Sequence, residues 1–77
     1  MAQFRITGEE LIKVLGKAGF VVTRVRGSHH RLKNEDRGLC TTVHCHAGET
    51  IGPGLLSKIL RDCDLTKDEF QDYVDEL

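Results

Sequence analysis

Two adjacent histidines in a run of cations are the residues of this sequence best suited to chemistry. Gly27-Ser28-His29-His30 is preceded by Arg24 and Arg26 and followed by Arg31 and Lys33. An imidazole exchanges its proton near neutrality, with an ordinary pKa of about 6.5. Cations beside it suit a phosphate, whose developing charge they stabilise. The set points to RNA cleavage or RNA binding. In that scheme His29 is the acid/base, and Arg26, Arg31 and Lys33 contact phosphate. Gly27 allows close backbone approach, and Ser28 hydrogen-bonds a phosphate or orients the histidine. One imidazole does not readily serve as acid and base at once, so His30 or His46 is a candidate assistant.

Metal chemistry fits these residues less well. His44-Cys45-His46 with His29 and His30 offers five donors, but on a strand residue 45 faces away from 44 and 46. Neither a Cys-x-x-Cys nor a helical His pair is present. Mg²⁺ binds through one or two carboxylates. The nearest in sequence, Glu35 and Asp36, belong at the far end of the histidine strand, roughly 20 Å away at ~3.3 Å per residue. No metal and no cofactor is expected. Cys40 and Cys45 sit in an apolar strand, where a thiol loses nucleophilicity as its pKa rises.

The elements that must position these groups follow from local signals. Thr7-Gly8-Glu9-Glu10 is a capping box, followed by Leu11, Val14, Leu15 and Ala18 at helical spacing and then Gly19. It predicts a helix over 8–18. Residues 20–26 and 29–34 are strand-like, with Gly27-Ser28 as the turn between them. Glu35-Asp36-Arg37-Gly38 predicts a hairpin loop into a third strand over 39–46. Pro53 suits the first turn of a second helix with Leu55, Leu56, Ile59 and Leu60 on its apolar face. Thr66-Lys67-Asp68-Glu69 is a second capping box, opening a last helix with Phe70, Tyr73, Val74 and Leu77. The order is α-β-β-β-α-α, with an antiparallel meander.

Strand alternation assigns the histidines to different faces. His29, Arg31 and Lys33 share one face; His30, Leu32 and Asn34 share the other. Leu32 is the large apolar residue of that strand, so its face meets the helices. His30 then lies toward the core edge as a hydrogen-bonded structural group, and His29 opens the polar face. Leu11, Leu15, Val25, Leu32, Val43, Leu56 and Ile59 are expected to be buried.

Seventy-seven residues suit one domain with a small core, residues 1–77 as a unit. Charge is unevenly spread: residues 1–60 carry +4 and residues 61–77 carry −5. A basic body fits a polyanion partner. The acidic tail fits a solvated helix face, or a surface for a protein-binding adaptor. Apolar runs fall short of the ~20 residues of a membrane span. Met1-Ala2-Gln3-Phe4-Arg5 lacks the apolar core of a signal peptide. Three irregularly spaced cysteines argue against a disulfide framework. A cytoplasmic location is expected, with no membrane association.

The sequence resembles the HicA-type, or YcfA-like, toxins of bacterial toxin–antitoxin systems. The shared pieces are Lys17-Ala18-Gly19-Phe20, Arg26-Gly27-Ser28-His29-His30, Thr42-Val43-His44-Cys45-His46 and the run Ile51-Gly52-Pro53-Gly54-Leu55-Leu56-Ser57-Lys58-Ile59-Leu60. The resemblance covers residues 7–73. It implies an α+β fold like the double-stranded-RNA-binding domain, a three-stranded antiparallel sheet with helices on one face. It implies an endoribonuclease acting on mRNA, an mRNA interferase, with one essential histidine from Gly-Ser-His-His; that the cleavage is metal-independent is the expectation from the residues above. It also implies two partners, mRNA and a HicB-type antitoxin protein. The rival reading is a non-catalytic RNA-binding module of the same fold. The chain departs from the family at the end of the third strand, where Val-Pro-x-His is common and His44 replaces the proline. The acidic last helix extends past the shortest members and could dock on the domain, contact the antitoxin or support a dimer.

Overall fold

Both capping boxes form, and each opens a helix. The computed structural model describes residues 5–77, so the opening Met1-Ala2-Gln3-Phe4 lies outside the described residues. The elements are α1 (Gly8–Lys17), β1 (Val21–Arg26), β2 (His29–Asn34), β3 (Leu39–His44), α2 (Pro53–Asp62) and α3 (Lys67–Asp75). Thr7 Oγ1 accepts the Glu10 N–H at 3.2 Å, and Glu10 Oε1 accepts the Thr7 N–H at 3.0 Å. Thr66 and Glu69 make the same exchange at 3.1 and 2.9 Å. These bonds satisfy amides that a helix start leaves without partners. The backbone donors at Thr7 and Thr66 hold the Glu10 and Glu69 carboxyls below the usual range. Pro53 occupies the first turn of α2, where its missing N–H costs nothing.

The sheet is antiparallel in the order β1-β2-β3. β2 alternates as expected: Leu32 and Asn34 are buried while His29, Arg31 and Lys33 are exposed. Thr41 and Val43 continue the covered face on β3. That face meets α1 and α2, whose Leu11, Leu15, Leu56 and Ile59 are buried with Leu32 and Val43, and α3 packs on α1 with Phe70 in the same core. The result is the α+β layering of a double-stranded-RNA-binding-domain-like fold. Among the described residues its buried polar side chains are paired. Asn34 Nδ2 donates to the Ala18 carbonyl at 3.4 Å, and Asn34 Oδ1 accepts the Arg37 N–H at 3.2 Å. Thr41 Oγ1 donates to Asp62 at 3.1 Å, which ties β3 to α2. The Lys58 ammonium, with that hydroxyl, holds the Asp62 carboxyl below its ordinary range.

Two expectations need correction. Val25 is 55% exposed, not buried. Its pairing with His30 puts it on the helix side, but the helices lie over β2 and β3, and β1 is exposed along its whole length. The third strand ends at His44, not His46, because the chain turns away after Cys45. The acidic C-terminal helix docks: α3 packs against the core through the fully buried Phe70, with Tyr73 and Val74 beside it. Asp68, Asp72, Asp75 and Glu76 remain at the surface. Among the described residues no helix is long and apolar enough to cross a membrane.

Candidate functional site

The open face of the sheet gathers the cations, and a β-bulge is what aims them. Between Val22 and Arg24 the register with β2 slips by one residue, at Thr23. Beyond the slip Arg24 pairs with Arg31 and Arg26 with His29; before it Val22 pairs with Leu32. Direct cross-strand partners share a face. Arg24 and Arg26 therefore join His29 and Arg31 on the open face, while Val22 and Val25 both turn to the helix side. A regular strand would have put Val22 on the same face as Arg24 and Arg26. The Thr23 hydroxyl donates to the Arg31 carbonyl at 3.4 Å at the irregularity.

A shallow hollow of about 190 Å³ lies on this face, lined by Arg24, Arg26, His29, Arg31 and Thr42. Arg31 is held in place: its guanidinium donates to Thr42 Oγ1 at 3.4 Å and to Cys40 Sγ at 3.3 Å. Among the described residues the ion pairs are Arg37–Asp64 and Lys58–Asp62, both away from the hollow. Its arginines thus face solvent without a carboxylate partner, the condition under which they suit a phosphate ligand.

The Gly27-Ser28 turn sets the histidines. Gly27 has φ +60, a conformation that strains residues with a Cβ. The Ser28 carbonyl accepts the Cys45 N–H at 2.7 Å, locking the turn to the end of β3. His30 is half-buried, with Nδ1 3.3 Å from the same carbonyl, a bond that requires the proton on Nδ1. That is the structural placement expected of it. His29 is exposed and directly opposite His44. Their ring centroids lie 4.2 Å apart at an interplanar angle of 81°, edge to face.

The expected residues are not all together. Lys33 shares the face with Arg31 but lies two residues further along, lining hollows with Asn34 and Glu35 at the hairpin end. The larger of these, about 350 Å³, also holds Asp36 and contains no imidazole. His46 lies beyond β3 in the following loop, where it lines a separate hollow with His44 and Glu49. His44, not His46, is thus the imidazole against His29. The strand alternation invoked for Cys45 does not extend to His46, but among the described residues no group of three His, Cys, Asp or Glu could hold a metal ion. Cys45 donates its thiol proton to Glu9 at 3.2 Å, and burial followed by that contact pushes the thiol up.

Sequence alone assigns Thr42 no role at the site and points to His44 only as a metal donor and as the residue in place of the family's proline. Both were countable: a four-residue loop joining residues 34 and 39 forces 31 opposite 42 and 29 opposite 44. The local sequence around Gly8 points only to a helix cap. A Cβ there would meet the His44 carbonyl oxygen at 2.6 Å, so α1 starts directly against the strand end that carries this imidazole.

A family model described as the HicA toxin of bacterial toxin-antitoxin matches residues 8–65, from the start of α1 past the end of α2. Among curated proteins none matches the sequence.

Proposed function

The chain belongs to the HicA toxin family of bacterial toxin–antitoxin systems, and on that premise we propose that it is a metal-independent endoribonuclease that cleaves mRNA in the cytoplasm. The observation that carries the reading is the hollow in which His29 stands among Arg24, Arg26 and Arg31, with no carboxylate among the described residues paired to those cations. An RNA phosphate in the hollow would meet three guanidinium groups. His29 then takes the proton of the neighbouring 2′-hydroxyl, and that oxygen attacks phosphorus. The P–O5′ bond breaks, the 5′-oxygen gains a proton, and the arginines stabilise the charge on the non-bridging oxygens. Gly27 and Ser28 shape the rim, Lys33 extends the basic track toward the hairpin, and His30 orients the turn. A HicB-type antitoxin would silence the toxin by covering this open face.

The test is RNA digestion by purified protein in EDTA, in Mg²⁺ and across a salt series. Cleavage is expected in EDTA. Three arginine–phosphate contacts predict a slope of about −2 for log affinity against log salt on single-stranded RNA. His29→Ala should lose about 100-fold or more in rate, the usual range for a histidine acid/base. Its circular dichroism and melting should stay unchanged, and its expression should no longer arrest growth. Full cleavage by folded His29→Ala, or strict dependence on Mg²⁺, would overturn the mechanism. Salt-sensitive binding with no cleavage by the unaltered protein would leave the RNA-binding module as the function.

A further inference from the structure

We infer that His44 is the second proton-transfer group of the cleavage reaction, paired with His29 across the β2–β3 ladder. The inference rests on the ribonuclease reading above. Strand cleavage needs two proton transfers, one from the 2′-hydroxyl and one to the 5′-oxygen. A single imidazole cannot be neutral for the first and protonated for the second at the same moment. The register supplies a second imidazole at the required place. His29 and His44 are direct partners, both exposed on the open face, with centroids 4.2 Å apart. With the ring centroids 4.2 Å apart, a phosphate lying over the pair is within reach of both imidazoles, one for the attacking oxygen and the other for the leaving oxygen.

In the reaction one imidazole, neutral at the outset, accepts the 2′-hydroxyl proton as the O2′–P bond forms. The other, protonated at the outset, gives its proton to O5′ as the P–O5′ bond breaks. The products are a 2′,3′-cyclic phosphate and a 5′-hydroxyl, and the net effect on the protein is one proton moved from ring to ring. Return of that proton through solvent restores the starting state. No oxidant, reductant or metal enters the balance.

His44 is held where this needs it. The Cys45 N–H bond to the Ser28 carbonyl, 2.7 Å, clamps the strand end to the turn that carries His29. Gly8 of α1 abuts the His44 carbonyl from the other side. Other titratable and charged groups near the pair include Arg24 and Arg26 on β1, His30 and Arg31 on β2, Glu9 on α1, the Cys45 thiol, and His46 and Glu49 in the loop after β3. Glu9 is engaged with the Cys45 thiol. Glu49 is the carboxylate that a pH experiment must separate from the histidines.

The experiment is the pH–rate profile of single-turnover RNA cleavage by the whole chain, for the unaltered protein, His44→Gln, His29→Ala and Glu49→Gln. Folding of each is checked by circular dichroism and urea melting. The unaltered protein should show a bell with an acid and an alkaline limb. His44→Gln should fold normally, lose about 100-fold at the optimum and keep only one limb. Glu49→Gln should keep both. A folded His44→Gln protein with the full bell and a rate within threefold would overturn the pairing while leaving the ribonuclease reading intact. So would a limb that vanishes in Glu49→Gln instead. If the unaltered protein cleaves no RNA, the pairing and the ribonuclease reading fall together.

Discussion

Two glycines in the same helix should respond to alanine with opposite signs. At Gly8 a new Cβ would lie 2.6 Å from the His44 carbonyl oxygen and 2.9 Å from the Cys45 Cα. Both are backbone atoms that no rotamer change can move aside. Relief to an ordinary contact at 3.4 Å needs a displacement of about 0.8 Å between α1 and the end of β3. Overpacking of this kind costs about 1–3 kcal/mol. At Gly16, near the other end of α1, a Cβ meets nothing within 4 Å. There alanine should stabilise by about 0.5–1 kcal/mol through the smaller backbone entropy it loses on folding. For a chain of this size 1 kcal/mol moves the melting midpoint by about 4–8 °C. Gly8→Ala should therefore melt at least about 4 °C lower and Gly16→Ala a few degrees higher, in thermal scans and in urea titrations with unchanged m-values. The Gly8→Ala shift falls on the strand end bearing His44, so cleavage by its folded fraction should also drop. A neutral Gly8→Ala, or a destabilised Gly16→Ala, would refute the close-approach argument.

Other substitutions probe the burial pattern and the thiols. Leu32→Ala removes a side chain that is 1% exposed and should cost about 2–5 kcal/mol, whereas Val25→Thr, on the open edge, should stay within about 0.5 kcal/mol. Equal losses in urea titrations would mean that β1 is covered in solution. Cys63 is fully buried, and burial pushes its thiol from an ordinary 9.0 up to about 12. The folded state then keeps a proton that the unfolded chain releases, so this contribution to stability is complete below pH 9 and declines as pH rises toward 12. The slope is about 1.4 kcal/mol per pH unit. Urea midpoints followed from pH 8 to about 10.5 should fall more steeply for the unaltered protein than for Cys63→Ala; parallel slopes would count against a buried protonated thiol.

Local signals in the sequence determined the helices, the turns and the face of each residue on β2. The capping boxes at Thr7 and Thr66 place their own helix starts, because the bonds they make reach only three residues. Alternation placed His29 with Arg31 and set His30 apart, because successive side chains of a strand point to opposite faces. The His29–His44 pairing was also within reach, since a four-residue hairpin loop leaves one register. Two features were not. The slip at Thr23, which turns Arg24 and Arg26 toward His29, has no glycine or proline to announce it; it arises where β1 is fitted against β2. Val25 carries the same apolar signal as Val43, yet one is exposed and the other buried. A valine's burial depends on what is packed over it, and only the docking of the helices away from β1 decided that this strand would be left as an open edge.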